Sequence, residues 1–341
     1  MKHSEGRLIT NQKKIDRQKW LSFVAKHPRG TFFHTPDAFE LYKTLGKPGI
    51  VALVDTNGNL QGVCLYYIQP FGPPVVNRLF NRALIYGNLI VNDKHIHLAD
   101  EMLNAILKQN KRAVYIELRN FHVDRFADVF RRNGFKYKPH LGIINNLQPS
   151  EEELLAALTA SRRNGVRKAL KSNLAFKAEH KISDKELDDG YSLISESYSR
   201  IKIPFPSKSC FKAINKKLTL VSRVFCMLYD TNGQMMVFAA CLIYKDTFYG
   251  YYLGAKRDEE FLKKRPLDLF NWELMLLAKR LGLKYFDWMG AGSPDEDYGV
   301  RDFKKQYGGE ILETGRFIKI NKPLRYWLIF TVLKKVYKLL R

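Results

Sequence analysis

Two stretches of the chain, residues 50–68 and 224–244, share one pattern of hydrophobic and polar positions. Each begins with a run of β-branched and aromatic residues, continues through Asp-Thr-Asn-Gly and ends in a second apolar run. Short runs of this composition are typical of strands, and an Asn-Gly pair between them favours a tight turn with positive φ. The sequence therefore predicts two β-hairpins, with turns that begin at Asp55 and Asp230.

The elements that follow each hairpin also occur in the same order. After the first, the pattern predicts a strand at 83–86, a helix at 95–110, a strand at 114–118 and a helical segment at 126–132. After the second, it predicts a strand at 249–253, a helix from Pro266, a strand at 285–288 and a segment at 302–309. Asp55 and Asp230 are 175 residues apart, and Phe130 and Phe303 are 173 apart, so the offset is nearly constant. We therefore predict two mixed α/β domains of the same kind.

The boundary between these domains is predicted at residues 146–150. Ser150 and Glu153 have the spacing of a capping box, which opens a helix that we extend to Leu170. The first domain then covers residues 1–148 and the second covers 149–322. Residues 323–341 form a final basic, amphipathic helix, whose apolar stripe we expect to pack back on the first domain. Contact of this helix with an acidic lipid surface is the alternative.

The overall composition is that of a globular protein with an unusual charge. The 341 residues are 45% hydrophobic and 27% charged, which excludes disordered, collagen-like and coiled-coil classes. Lys and Arg number 57 against 34 Asp and Glu, a net charge of +23. This excess favours an anionic partner, namely nucleic acid, a phosphorylated substrate or acidic lipid. A generally basic, solvated surface is the alternative.

Cysteine usage and the apolar runs predict the cellular setting. The four cysteines are widely spaced and form no C-x-x-C pair, which fits reduced thiols and argues against a disulfide framework or a zinc site. No apolar h-region follows the first residues, and the longest apolar-rich run, 326–333, is far shorter than the ~18 residues that a membrane span needs. We expect a monomeric cytoplasmic protein, with peripheral contact at the inner face of the cytoplasmic membrane left open.

The sequence contains no standard catalytic signature. G-x-S-x-G, H-E-x-x-H, the Walker loop and G-x-G-x-x-G are all absent, and the eight histidines have no partner at metal-ligand spacing. We therefore expect neither a metal nor a bound cofactor.

Residues 161–171, Ser-Arg-Arg-Asn-Gly-Val-Arg-Lys-Ala-Leu-Lys, form the first of two basic clusters. At helical spacing, Arg163, Arg167 and Lys171 share one face, and Arg162 and Lys168 flank it. Like charges this close repel one another unless anions neutralise them. We therefore predict that the cluster binds a diphosphate or an RNA backbone. A solvated helix face is the alternative.

The second basic cluster follows a glycine-rich stretch at 290–299. A helical turn after this stretch carries Lys304 and Lys305. A flexible loop that leads from a strand into such a turn is one way to bring a cation to a reacting carbonyl.

Several segments, taken in order, resemble the Fem family of bacterial peptidoglycan-bridge aminoacyltransferases over most of the chain. They are Phe-Phe-His-Thr-Pro at 32–36, Arg-Arg-Asn-Gly-Val-Arg-Lys-Ala at 162–169, Pro266 to Trp272, Tyr-Phe-Asp at 285–287 with Gly290, and Phe-Lys-x-x-Tyr-Gly-Gly at 303–309. The resemblance implies two tandem acetyltransferase-like (GNAT-type) domains, which is what the internal repeat predicts. It also implies transfer of an amino acid from aminoacyl-tRNA to an amine of a UDP- or lipid-linked muropeptide precursor.

The same resemblance implies roles for individual residues. Lys304 would stabilise the tetrahedral intermediate, with Lys305 as the alternative cation, and Phe303 would help to place the terminal adenosine of the tRNA. The residues that would meet phosphates of the tRNA or the precursor are Arg162, Arg163, Arg167 and Lys168. An aminoacyl ester is already activated, so the enzyme has mainly to hold the amine in line and stabilise the oxyanion. This accounts for the lack of a standard motif.

Some positions depart from the family pattern. The family's precursor-binding basic residue falls at Lys43, out of register by one residue, and a second arginine and tyrosine fall at Lys208 and Phe211. Because lysine lacks arginine's bidentate grip on a diphosphate, the acceptor could differ from the usual muropeptide. Glu117, at the end of a predicted strand, is a candidate to receive the proton of the amine. A carboxylate paired with Arg119 is the alternative.

Two other functions stay open at this point. The tandem fold also suits an acyl-CoA-dependent N-acyltransferase that modifies a sugar or peptide of a surface polysaccharide, although no intact pyrophosphate-binding loop is present. The third candidate is a non-catalytic RNA- or membrane-binding protein on the same fold. Replacing Lys304 by alanine separates this candidate from the two enzymes, which require a cation there.

Overall fold

The computed structural model describes residues 6–70, 79–120 and 125–333. These residues form two compact units. The first contains the chain up to Pro139 and from Glu313 onward, and the second contains His140–Leu312.

The strands are, in chain order, β1 Arg7–Ile9, β2 Lys47–Val54, β3 Leu60–Pro70, β4 Asn81–Tyr86, β5 Ile90–Val91, β6 Tyr115–Arg119, β7 Lys136–Lys138, β8 Leu141–Asn146, β9 Ala175–Glu179, β10 Arg223–Tyr229, β11 Met235–Tyr244, β12 Thr247–Ala255, β13 Tyr285–Gly290, β14 Glu310–Glu313 and β15 Arg316–Ile320. The α-helices are α1 Arg17–Lys26, α2 Pro36–Leu45, α3 Ala99–Gln109, α4 Ala127–Arg132, α5 Glu151–Ala157, α6 Ala160–Leu170, α7 Asp184–Arg200, α8 Lys208–Lys217, α9 Glu259–Lys264, α10 Pro266–Arg280, α11 Gly299–Lys305 and α12 Pro323–Trp327.

Each unit is built on one mixed sheet, and the two sheets have equivalent strand orders. In the first unit the order is β1-β2-β3-β4-β6-β15-β7, with β5 also paired to β3. In the second it is β9-β10-β11-β12-β13-β8-β14. Strands β4 and β6 run parallel in the first sheet, as β12 and β13 do in the second. The prediction of two α/β domains of the same kind is confirmed.

The division of the chain nevertheless differs from the predicted boundaries at 148/149 and 322/323. Strand β8 comes before residue 148 but pairs with β13 of the second sheet. Strand β15 comes before residue 322 but pairs with β6 and β7 of the first sheet. Each sheet therefore receives a strand from the other half of the chain. A strand joins the sheet in which its backbone hydrogen-bond partners lie, and local sequence patterns carry no information about that partner.

The two predicted hairpin turns have matching geometry. Gly58 and Gly233 have φ of 73° and 75°, which is the left-handed conformation that favours glycine. The side chain of Asp55 accepts hydrogen bonds from the backbone N–H groups of Asn57 and Asn59, both at 2.9 Å. The Asp230 side chain does the same with residues 232 and 234, at 3.0 and 2.8 Å. The repeat therefore encodes a structural turn in both units.

The predicted helix over residues 150–170 consists of two helices. The capping box of Ser150 and Glu153 is present, and it starts α5 as predicted. The helix then stops, because Leu158 and Thr159 adopt extended backbone with ψ of 149° and 154°. The N–H of Thr159 donates to the Gln306 carbonyl at 3.0 Å instead of continuing the helix. A contact with a distant segment therefore interrupts a pattern that reads as continuous helix.

The described part of the C-terminal segment packs against the first unit, as predicted. After α12, residues Leu328–Leu333 continue as a π-helical turn. Tyr326 and Phe330 place their rings 5.3 and 5.9 Å from the ring of Tyr115 on β6. The remainder of the predicted helix, residues 334–341, lies outside the described residues. In the described part of the chain, no helix is long and apolar enough to cross a membrane.

Candidate active site

Lys304 lies in the second unit, on α11, and its ammonium is held by two backbone carbonyls. The Nζ atom donates to the carbonyl oxygens of Trp288 and Gly290, at 2.5 and 2.9 Å. Helix α11 follows the glycine-rich stretch after β13, as the sequence predicts. This loop brings a cation on a helical turn back to the end of the strand that precedes it.

A bulge at the end of β13 makes these two carbonyls available. The register of β13 against β8 shifts between Asp287 and Gly290. Met289 has a φ of 60°, which is unusual for a residue with a side chain, and its N–H donates to Oδ1 of Asp287 at 2.6 Å. Because Met289 turns the backbone in this way, the carbonyls on either side of it both accept from Lys304.

Burial changes the protonation of the two charged groups at this bulge. Removal from water lowers the pKa of Lys304 to about 8, although the Asp287 carboxylate opposes that shift. Burial also raises the pKa of Asp287 to about 6, while the Met289 N–H and Lys304 partly oppose the rise. Near neutral pH the Lys304 ammonium is therefore still charged, yet it lies close to the pH at which it loses a proton.

The Phe303 ring lies beneath the guanidinium of Arg162. The guanidinium carbon is 4.6 Å from the Phe303 ring centroid, and the Phe303 and Tyr307 ring centroids are 5.3 Å apart. Arg162 also donates through Nη1 to Asp268 at 2.6 Å and through Nε to Gln306 at 2.8 Å. Arg162 is thereby paired inside the unit and fixes the helical turn that carries Phe303 and Lys304.

Asp268 is the buried centre of this arrangement and was not predicted as a site residue. Besides Arg162, it accepts from Nε of Arg265 at 2.6 Å and from the Tyr307 hydroxyl at 3.2 Å. A Cβ on Gly165 would come within 2.0 Å of Asp268 Oδ2, so α6 can approach α10 this closely only with glycine there. An acidic residue beside apolar Leu267 and Leu269 is the only sequence signal that could have indicated it.

The basic residues predicted on α6 have different surroundings. Arg163 is half-buried, and its Nη1 donates to the carbonyls of Ala156, at 2.7 Å, and Leu158, so it caps the end of α5. Arg167, Lys168 and Lys305 are exposed, and within the described ranges none of the three has an ion-pair partner. The predicted cluster on α6 therefore contains two arginines, Arg162 and Arg163, that hydrogen-bond inside the unit, whereas Arg167 and Lys168 are exposed.

Two predicted precursor-binding residues of the second unit are already engaged. Lys208 pairs with Asp188 at 2.5 Å. The Phe211 side chain is fully buried, with its ring 5.5 Å from that of Tyr191 and 5.3 Å from that of Tyr252. Phe211 therefore packs in the core and does not present a surface to a ligand. Hydrophobic spacing alone could not distinguish these two roles.

Two further predicted site residues belong to the first unit. Lys43 is exposed on α2 and pairs with Glu40 at 2.5 Å. Glu117 is buried on β6 and pairs with Arg119, Arg82 and Arg316. Burial alone would raise the pKa of Glu117, but these three guanidiniums lower it to about 2. A carboxyl with this pKa is a weak proton acceptor near neutral pH, which favours the alternative of an ion-paired carboxylate.

The residues described contain no group of three or more His, Cys, Asp or Glu side chains placed to hold a metal ion. The cysteines, Cys64, Cys210, Cys226 and Cys241, are all buried and free.

Residues 160–305, a range that includes Arg162, Phe303 and Lys304, match the family model of the acetyltransferase (GNAT) domain. None of the curated proteins matches the sequence at a significant level. Residues 160–305 therefore form a GNAT-type domain within the second unit.

Solved structures share the tandem arrangement. The structure of FemX matches with a TM-score of 0.67 and 18% identity, over 94% of this chain and 99% of that one. L-PGS from Bacillus licheniformis matches with a TM-score of 0.59 and 14% identity, over 92% and 96%. A tandem GNAT protein from the clavulanic acid biosynthesis pathway matches with a TM-score of 0.56 and 9% identity, over 92% and 99%. The chain therefore has the tandem GNAT-type fold of FemX, as the sequence resemblance implies.

Proposed function

We propose that this protein is an aminoacyltransferase that moves an amino acid from aminoacyl-tRNA to an amine of a peptidoglycan peptide precursor. The likeness to FemX supports the reaction class, and the observation that carries the proposal is the position of Lys304. An ammonium has three N–H donors, and two of those of Lys304 are engaged by carbonyls. Within the residues that the structure describes, the third N–H has no acceptor, so it is available to an oxygen that develops negative charge.

The chemical step follows from this donor. The amine nitrogen attacks the carbonyl carbon of the aminoacyl ester, and the carbonyl oxygen becomes the oxyanion of a tetrahedral intermediate. The Lys304 N–H stabilises that oxygen more than it stabilises the neutral ester carbonyl, which lowers the barrier. When the intermediate collapses, the new C–N bond stays, the C–O bond to the ribose breaks, the ribose oxygen takes a proton and the former amine releases one to water.

Exposed basic residues on the second unit attract the aminoacyl-tRNA electrostatically. Arg167, Lys168 and Lys305 are exposed, so they can neutralise backbone phosphates of tRNA without breaking internal ion pairs. Arg162 and Arg163 contribute indirectly, because they hold α11 and the end of α5 in place.

A transfer assay tests the proposal. Purified protein is incubated with labelled aminoacyl-tRNAs and UDP-linked muropeptide, and acyl-CoA replaces tRNA in a parallel reaction. We expect label to reach the peptide from tRNA. We expect Lys304→Ala to slow transfer by about a hundredfold or more, while Lys284→Ala, at an exposed lysine paired with Asp246, leaves it unchanged. Transfer from acyl-CoA alone would replace this proposal with an acyl-CoA-dependent N-acyltransferase, which the GNAT domain match also favours. Absence of transfer from either donor would favour a non-catalytic RNA- or membrane-binding role.

We also propose cytoplasmic localisation with peripheral contact to acidic membrane through the last helix. Leu324 and Trp327 of α12 are 84% and 58% exposed, and the basic residues Lys322 and Arg325 lie beside them. Exposed apolar side chains next to basic ones are typical of a helix that lies in a lipid interface. We expect sedimentation with vesicles rich in phosphatidylglycerol, and loss of it in the double variant Leu324→Ser with Trp327→Ser; equal sedimentation of both proteins would contradict this contact.

A further inference from the structure

Asn145 is a polar side chain inside the hydrophobic core of the second unit. It lies on β8 and is 3% exposed, and Ile143, two residues earlier on the same face of the strand, belongs to that core. A buried amide is unfavourable unless both its oxygen and its nitrogen are hydrogen-bonded. The two partners of this amide therefore indicate why a polar residue lies here.

The Asn145 amide joins the strand that receives the Lys304 ammonium to the turn that carries it. Its Oδ1 accepts from the indole Nε1 of Trp288 on β13 at 2.6 Å, and its Nδ2 donates to the carbonyl of Tyr307, just after α11, at 2.8 Å. An indole N–H only donates and a carbonyl only accepts, so these two partners fix the orientation of the amide.

These contacts close a ring of hydrogen bonds that begins and ends at Lys304. Nζ of Lys304 donates to the Trp288 carbonyl at 2.5 Å, and the N–H of Tyr307 donates to the Lys304 carbonyl at 3.1 Å. Asn145 supplies the two remaining bonds of the ring. The ammonium of Lys304 is therefore connected to its own backbone through one amide from another strand.

The Tyr307 part of this ring is held from a second side. The Tyr307 hydroxyl donates to Asp268 Oδ1 at 3.2 Å and accepts from Nδ2 of Asn271 at 3.3 Å. A Cβ on Gly309 would come within 2.9 Å of Asn145 Oδ1. The chain after α11 therefore approaches β8 this closely because residue 309 has no side chain.

Asn145 belongs to a strand that the second sheet receives from the first half of the chain. In the pairing of β8 with β13, it lies opposite Phe286, two residues before Trp288. The GNAT domain match covers residues 160–305 and does not include it. The exchanged strand β8 therefore brings a hydrogen-bonding group to the candidate site that the matched domain itself lacks.

We propose that Asn145 is a positioning residue for Lys304. By holding Trp288 and Tyr307, it keeps the third N–H of the ammonium where it can donate to the reacting carbonyl oxygen. A misplacement of about 1 Å costs roughly a hundredfold in rate, so a group that fixes the donor affects catalysis without touching the substrate. The catalytic consequence rests on the proposed function, whereas the ring of hydrogen bonds can be tested without it.

Steady-state transfer by Asn145→Ala and by a matched control tests the catalytic consequence. The control is Asn215→Ala, because Asn215 of α8 is 1% exposed and its amide likewise accepts from a backbone N–H and donates to a carbonyl, both of Ile182, at 3.1 and 2.8 Å. We expect Asn145→Ala to lower kcat about tenfold or more with KM nearly unchanged. We expect Asn215→Ala to lower the Tm but to keep kcat. Equal kcat in the two variants, or a change confined to KM, would overturn the proposal.

Trp288→Phe provides a second variant if Asn145→Ala does not fold. It removes the indole donor and keeps an aromatic ring and the backbone carbonyl that accepts from Lys304. The control is Trp272→Phe, since both tryptophans are 6% exposed in the same core. We expect kcat to fall only in Trp288→Phe, and we expect this change to have little further effect in Asn145→Ala, where the same bond is already lost. An equal fall in both tryptophan variants, or full additivity with Asn145→Ala, would contradict the proposed role.

Hydrogen–deuterium exchange measures the ring without the transfer reaction. The backbone N–H groups of residues 301–308 should exchange faster in Asn145→Ala than in Asn215→Ala, because only the first variant releases the turn that carries Lys304. Faster exchange that is confined to Asn145→Ala supports the positioning role even if the original protein transfers no amino acid, in which case only the proposed function fails. Equal exchange of this segment in both variants would overturn the positioning role, whatever the transfer assay shows.

Discussion

Each of the two units has a carboxylate at the third position of an equivalent strand, but the pKa of this carboxylate is shifted in opposite directions. Glu117 is the third residue of β6 and Asp287 is the third residue of β13, and each strand runs parallel to one neighbour. Three guanidiniums lower the pKa of Glu117 to about 2, whereas burial raises the pKa of Asp287 to about 6. The two repeats of the fold therefore have an acidic residue at the same position, while the surrounding side chains determine whether its carboxyl group is ionised.

This difference in pKa separates the ion cluster around Glu117, which stabilises the fold, from the Lys304–Asp287 pair, which is suited to catalysis. In the first unit, Glu117 is fully ionised at neutral pH and its partners are fixed. In the second, Lys304 and Asp287 both have a pKa within about two units of neutrality. Groups whose pKa lies near the working pH are the ones that respond to a reaction step.

Breaking the ion cluster of the first unit should have the largest effect. Glu117→Gln removes the carboxylate that pairs with three partly buried guanidiniums, so we expect the free energy of unfolding to fall by about 3 kcal/mol or more. Urea denaturation measures this value. Asp287→Asn is the counterpart in the second unit. It should lower the free energy of unfolding by less, because burial already disfavours the charged form of Asp287. An equal loss in both variants would contradict the comparison.

Replacing Lys304 by alanine should reduce catalysis without unfolding the second unit. Removal of one oxyanion donor costs roughly a hundred- to a thousandfold in kcat. We expect Lys304→Arg to retain part of the activity, since it keeps a charged donor. Single-turnover transfer measures the effect, and circular dichroism controls for folding. A change confined to KM would argue that Lys304 binds substrate without acting on the oxyanion.

The two units should also respond differently to acid. The lowered pKa of Glu117 stabilises the folded state above the unfolded value of 4.5, and this contribution is lost as the pH falls toward about 2. The raised pKa of Asp287 acts with the opposite sign, because stability is lost as the pH rises from 3.8 toward about 6. Below pH 4.5, the stability of Glu117→Gln should therefore fall less steeply with falling pH than that of the original protein, which denaturation at several pH values measures.

Activity should decline above pH 8 if the charged form of Lys304 is required. The pKa of Lys304 is about 8, and the Asp287 carboxylate raises it against burial. Asp287→Asn should therefore move the alkaline limb of the pH profile of kcat to lower pH. Both proteins are assayed with the same acceptor, so titration of its amine cannot cause the difference. An unmoved limb would show that another group titrates there.

The smallest effect concerns the exposed charges of the second unit. Arg167→Gln with Lys168→Gln should weaken tRNA binding and reduce the slope of log affinity against log salt by about 0.7–0.9 per charge removed. Filter binding at several salt concentrations measures the slope. Variants of Arg162, which pairs with Asp268 inside the unit, should lower the free energy of unfolding and leave this salt slope nearly unchanged. A larger change of slope in an Arg162 variant would contradict the division of the cluster.

Much of the fold follows from local pattern. The two Asp-Thr-Asn-Gly turns, the capping box at Ser150 and the helix that begins at Pro266 are all present. Each depends on contacts within a few residues, so the local sequence contains the full physical cause. The placement of Lys304 on a turn after the glycine-rich loop follows for the same reason.

The predictions that failed depended on distant partners. The helix over 150–170 breaks because Thr159 donates to Gln306, and Phe211 is buried among rings from other elements. The basic residues of 162–168 look equivalent in the sequence, yet Asp268 pairs with Arg162 while Arg167 remains exposed. Spacing along a helix gives the face on which a charge lies but not the carboxylate that meets it.

The sequence alone therefore determined the repeat, its turns, most of its strands and helices, and the place of Lys304 on a helical turn after the glycine-rich stretch. Only the tertiary structure decided which sheet receives β8 and β15, which arginines are paired, and that Glu117 is held at a pKa of about 2 while Asp287 is raised to about 6. The reason is physical. Backbone geometry and capping act over a few residues, whereas strand pairing, burial and ion pairing depend on groups that only folding brings together.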